Sequence, residues 1–196
     1  MASYQVPADA SQIELEVKRS RFLGFAARTM GTESAKAFLQ SLKEKYPDAG
    51  HHCYGFIAGA PWNSNLYGFS DDNEPSGTAG MPIFSHLKHN NIGEITVVIV
   101  RYFGGTKLGT GGLARAYSDA AKEAINALAL KDYIEMQTCQ LVLEFAQEAQ
   151  IRKAIKDVGG SVTNVYYTHQ VTLEVQVPKD ASLALPYSVS PSRSTI

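Results

Sequence analysis

RYFGGTKLGTGG, residues 101–112, follows directly on the apolar run EITVVIV, residues 94–100. The run is continuous and β-branched, as expected of a strand buried on both faces at the centre of a sheet. After the loop, Leu113, Tyr117, Ala120, Ala121, Ala124 and Leu128 recur at helical spacing, and their alanines are small enough to pack closely on that sheet. Between strand and helix stand five glycines, which strip the loop of side-chain bulk. The first N–H groups of the helix have no acceptors of their own. A bare loop opening a helix is a concave, locally positive place for an anion, and Arg101, Lys107 and Arg115 set three cations around it.

Upstream, Ile13, Leu15 and Val17 alternate with polar residues and Arg21 to Ala27 continues apolar, which predicts a strand pair. Ala35, Phe38, Leu39, Leu42 and Tyr46 fall at helical spacing before Pro47, and Cys53 to Ala58 reads as another strand. Residues 59–80 are turn formers throughout, and so long a loop inside a compact domain points to function. Met81 to His89 predicts a short helix with Pro82 in its first turn. These elements make one α+β domain, residues 1–130.

Downstream, Tyr133 to Phe145, Glu148 to Val158, Val162 to Tyr167 and Val171 to Val177 run β-α-β-β, a second domain over residues 131–178. A βαββαβ domain needs one more helix and strand. Residues 179–196, KDASLALPYSVSPSRSTI, have no amphipathic period and read as a disordered tail. The second domain is then incomplete, with an exposed sheet edge on which a second copy could pair as a homodimer.

The chain has 196 residues, 44% of them hydrophobic, and a formal charge of −1. That balance gives no global case for nucleic acid or membrane, so any such affinity must be local. Two cysteines in unrelated contexts, Cys53 and Cys139, indicate neither a disulfide framework nor a zinc module. MASYQVPADA lacks a signal-peptide layout and no apolar run approaches the roughly 20 residues that span a bilayer, so a cytoplasmic protein is expected.

Gly109 to Ala114 formally satisfies the dinucleotide fingerprint, but seven residues separate it from its strand and the acidic ribose partner is misplaced. No cofactor is therefore assigned. What remains is a backbone nest for phosphate or nucleic acid, built from Gly104, Gly105, Gly109, Gly111 and Gly112 with Arg101, Lys107 and Arg115. The rival reading is that these glycines only build tight turns. Thr78, in the stretch SGTAG before the short helix, offers either a helix cap or a second phosphate contact. His51, with Asp71 and Glu74 from DDNEP, is the set that acid–base chemistry would use were this an enzyme; no metal ligands are assigned. Tyr102 and Phe103 beside the arginine, and Trp62, Tyr67 and Phe69 in the long loop, suit either base stacking or core packing.

HHCYGFIAG (51–59), GFSDDNEPSGTAGMPI (68–83) and GEITVVIVRYFGGTKLGTGGLARAY (93–117) together resemble the IMPACT/YigZ family. The resemblance implies a first domain of the ribosomal-protein-like left-handed βαβ fold and a ferredoxin-like second domain similar to one in elongation factor G. It also implies a link to translation, since eukaryotic members restrain an amino-acid-starvation kinase by competing for its activator. Three functions follow. The leading one is a non-enzymatic, translation-associated regulatory protein that binds RNA or another phosphate-bearing partner through the glycine-rich basic loop, the expected partner being RNA or a ribosome-associated factor. The others are a regulator acting on a protein partner in translation control, and an enzyme acting on a phosphorylated small molecule.

Overall fold

The computed structural model describes residues 4–181 and 190–192. The chain divides into two compact units between Tyr133 and Ile134. In the first, β1 (Gln5–Pro7), β2 (Ser11–Val17) and β3 (Ser20–Arg28) precede α1 (Gly31–Lys45), and β4 (His51–Ile57) and β5 (Tyr67–Ser70) precede α2 (Gly80–His89). Then come β6 (Ile95–Tyr102), α3 (Thr110–Asn126) and β7 (Leu130–Asp132). The main sheet has the order β2-β3-β6-β4-β5 with every neighbouring pair antiparallel, while β1 and β7 form a separate ladder.

The apolar run is the middle strand, as its composition predicts, and Ile95 to Arg101 are all buried. Its alternate residues serve two cores. Val97 and Ile99 join Phe22, Cys53 and Ile57 under α2 and α3, where Ala116, Ala120, Ala121 and Ala124 let α3 lie close to the sheet. Val98 and Val100 join Leu23, Phe25 and Leu42 of α1 on the opposite face. Residues 59–80 are less loop-like than their composition implies, containing one 3-10 turn, Ser64–Leu66, and the edge strand β5. A Cβ at Gly68 would lie 2.3 Å from the Phe56 ring, so β5 carries glycine where a strand former would clash.

The second unit holds β8 (Met136–Leu143), α4 (Glu148–Asp157), β9 (Ser161–Tyr167), β10 (Val171–Pro178) and β11 (Ser190–Ser192). Its sheet order is β11-β8-β10-β9, the arrangement of a ferredoxin-like domain. Ile151 and Ile155 of α4 are buried with Leu141, Leu143, Leu173 and Val175. The edge of β8 is not left bare as the sequence suggests: Ser190 to Ser192 pair with it antiparallel over Gln140 to Val142. Backbone pairing needs no hydrophobic period, and an outermost strand tolerates Pro191, which has no N–H to donate. Among the described residues this unit has one α-helix; the rest of the tail expected to be disordered, 182–189 and 193–196, lies outside them. No helix among the described residues is long and apolar enough to cross a membrane.

Candidate functional site

A cavity of about 380 Å³ lies at the start of α3, lined by Glu74, Pro75, Arg101, Phe103, Lys107, Leu108, Gly109, Thr110 and Leu113. The glycines around it have separate reasons. Gly104 is packed: its N–H donates to Ser20 Oγ at 3.1 Å, and a Cβ there would lie 2.0 Å from the Arg19 carbonyl carbon. Gly105 and Gly109 have φ of +83° and +74°, which a side chain would strain. Gly112 is close to Leu108, whose Cβ an added methyl group would meet at 3.2 Å. Gly111 differs from the rest. It has no positive φ, it is exposed, and a Cβ there would meet nothing within 4 Å.

No side chain caps α3, whose N-cap residue is Gly109. The Gly109 carbonyl accepts the Leu113 N–H at 2.9 Å, so the N–H groups of the first turn precede any intrahelical acceptor. Gly109, Thr110 and Gly111 are exposed, leaving that positive end open to solvent. Lys107 is exposed on the cavity wall, and Phe103, 59% exposed, presents an aromatic face. Arg115 is also exposed but does not line the cavity.

Arg101 is not the open, forked cation its place in the sequence suggests; it is 5% exposed. Its parity on β6 is the reason, because residue 101 shares a face with Val97 and Ile99 and therefore points beneath α3. A buried guanidinium needs a counter-charge, and Nη1 donates to Glu74 Oε1 at 2.6 Å. Nη2 reaches Ser20 Oγ at 3.4 Å, while the guanidinium carbon lies 5.5 Å from the Phe22 ring centre and 5.7 Å from that of Phe103. Nε is buried without a hydrogen-bond partner.

Glu74 gathers further groups. The Tyr117 hydroxyl donates to the same Oε1 at 2.7 Å, and burial, then the neighbouring Cys53 and Glu74, push that phenol well above the usual tyrosine range. Residue 51 stands opposite residue 101 in the β4–β6 register, which brings His51 Nε2 to 3.7 Å from Glu74 Oε1. His51 Nδ1 donates to the Asp72 carbonyl at 2.8 Å, so in the neutral ring Nε2 turns a lone pair toward the carboxylate.

The Asp71 carbonyl accepts the Glu74 N–H at 2.9 Å, but its carboxylate is engaged elsewhere. Its Oδ1 accepts from Ala79 and Gly80 N–H at 2.9 and 2.8 Å, and its Oδ2 from Gly77 N–H at 2.8 Å. Burial opposes its charge, but those three donors outweigh it and hold the carboxyl below its usual range. Asp71 therefore organises the loop into α2, its carboxylate engaged by three backbone amides. Thr78 is buried, its hydroxyl donating to the Pro75 carbonyl at 2.6 Å, so it neither caps α2 nor reaches the cavity.

Two participants escape a reading of the sequence. Tyr117 looks like one more apolar helix residue, and Ser20, which touches both Gly104 and Arg101, carries no local signal. The pairing of Arg101 with Glu74 joins residues that motif spacing puts in different sites. Parity along β6 signals it, since a cation on the core face requires an acid.

Residues 18–125 match the family described as the Impact N-terminal domain. The chain is 41% identical over 178 residues to the IMPACT family member YigZ of Escherichia coli (strain K12), across 91% of this chain and 87% of that protein. It is 44% identical over 147 residues to an IMPACT family member of Haemophilus influenzae, across 75% and 71% of the two chains. A crystal structure described as that of a hypothetical protein is similar with a TM-score of 0.72 at 37% identity, across 100% of this chain and 98% of its own.

Proposed function

The chain belongs to the IMPACT family, and from that premise we propose that it is a translation-associated binding protein that holds single-stranded RNA by a phosphate at the start of α3. Gly111 carries the reading. Every other glycine of the loop answers a packing or backbone demand, whereas Gly111 occupies open space at an uncapped helix end where a phosphate oxygen would approach the amides. Lys107 supplies the counter-charge and Phe103 a surface on which a base can stack. The translation setting is what the family resemblance implies. The acid–base alternative is weakened because Glu74 is already bound to Arg101 and Tyr117, and Asp71 to backbone amides.

The test is fluorescence anisotropy of a labelled ten-nucleotide single-stranded RNA at increasing salt, with wild type, Lys107→Glu and Gly111→Asp. Wild type binds with an affinity that falls as salt rises. Gly111→Asp places a carboxylate where the phosphate would sit yet suits the helix dipole, so it keeps or raises thermal stability while losing RNA by tenfold or more. Lys107→Glu weakens binding in the same sense. Absence of salt-sensitive binding by wild type, or unchanged affinity in both variants, overturns the reading.

A further inference from the structure

We propose that the tip of the β2–β3 hairpin, Lys18 and Arg19, is a second cationic contact of this site, extending a pocket for one phosphate into a track for consecutive phosphates of single-stranded RNA. The inference rests on the function proposed for the α3 cavity. Val17 pairs with Ser20, so Lys18 and Arg19 alone make the turn, with φ of +49° and +67°. Two left-handed residues in a two-residue hairpin make the turn type for which Asn-Gly is the favoured sequence. Here both positions carry long cationic side chains in a backbone region that disfavours them, the kind of local cost that persists at functional sites.

The tip is fixed against the glycine-rich loop at Gly104. Arg19 backbone lies where a Gly104 side chain would be, Ser20 Oγ accepts the Gly104 N–H, and the next residue back, Phe103, lines the cavity wall. Lys18 and Arg19 are exposed, and neither has an ion-pair partner among the described residues. The acids nearby are differently placed. Glu14 is bound to Arg21 at 2.7 Å, and Glu16 stands on the exposed side of β2. The packing of Gly104 on the hairpin joins the tip that carries Lys18 and Arg19 to the loop that carries Phe103 and Lys107, a mixture of cations and an aromatic surface suited to a single-stranded backbone.

The double variant Lys18→Asn with Arg19→Gly separates binding from structure, because it relaxes the turn while removing both charges. Its thermal midpoint rises. On the ten-nucleotide RNA, the slope of log affinity against log salt becomes shallower by about 1.4, about 0.7 for each phosphate that is no longer neutralised. Lys18→Gln with Arg19→Gln, which keeps side chains of similar length at the turn, gives the same change in slope. If both double variants keep the wild-type slope while Gly111→Asp still loses RNA, the hairpin's role is overturned and the α3 site stands. If wild type shows no salt-sensitive binding, both fall together.

Discussion

Arg101 and Gly111 bound the same glycine-rich stretch, and solvent sees only one of them. Arg101 is a cation in the core whose energy depends on Glu74. Removing one member of a buried, hydrogen-bonded ion pair leaves the other charge unpaired, so Arg101→Met should destabilise the protein by about 3–5 kcal/mol, and Glu74→Leu similarly. Replacing both together should cost far less than the two changes added, because no orphan charge remains. Urea unfolding of the three variants checks this; a loss below about 1 kcal/mol in Arg101→Met would show that the pair is not structural. At this scale the sequence is legible by parity. Alternation along β6 puts residue 101 with Val97 and Ile99, but the abundance of nearby glycine draws attention toward the loop and away from the strand on which the arginine sits. Parity calls for an acid beside Arg101 but does not single out Glu74, whose place depends on the path of residues 71–79.

That path is set at the scale of the element, by one carboxylate and three amides. Asp71 fastens Gly77, Ala79 and Gly80, which begins α2 and carries Glu74 inward to Arg101. The Asp71 carboxyl titrates lower in the folded protein than its ordinary value of 3.8. Its contribution to stability is therefore complete above about pH 4 and is lost as pH falls through the lower, folded value. Asp71→Asn should reduce stability at neutral pH by about 1–3 kcal/mol and flatten the acid limb of the stability profile. Denaturant midpoints from pH 3 to 7 measure it, and a variant with the wild-type acid limb would remove Asp71 from this role. The strand-rich elements, β6 and the β2–β3 hairpin, are legible because their apolar periods are long. The short strand β5 is not, since Gly68 must make room for Phe56. The glycines that mark a loop to the eye are in this case packing and backbone devices at every position but Gly111.

The first unit covers β6 on both faces and leaves the N-terminal end of α3 open, while the second, among the described residues, completes a four-stranded ferredoxin-like order with Ser190 to Ser192. Three residues that include a proline have no period to read, which is why that pairing is invisible before the fold is known. The net charge of −1 is equally silent about the proposed face, because the hairpin that carries Lys18 and Arg19 meets the loop that carries Lys107 only through the packing of Gly104. The most direct measurement is an amide chemical-shift titration of the full chain with the ten-nucleotide RNA. Thr110, Gly111 and Gly112 should shift saturably, and the shifts should be suppressed by salt. Unmoved amides at those three residues, with changes gathered elsewhere on either unit, would contradict phosphate binding at the start of α3.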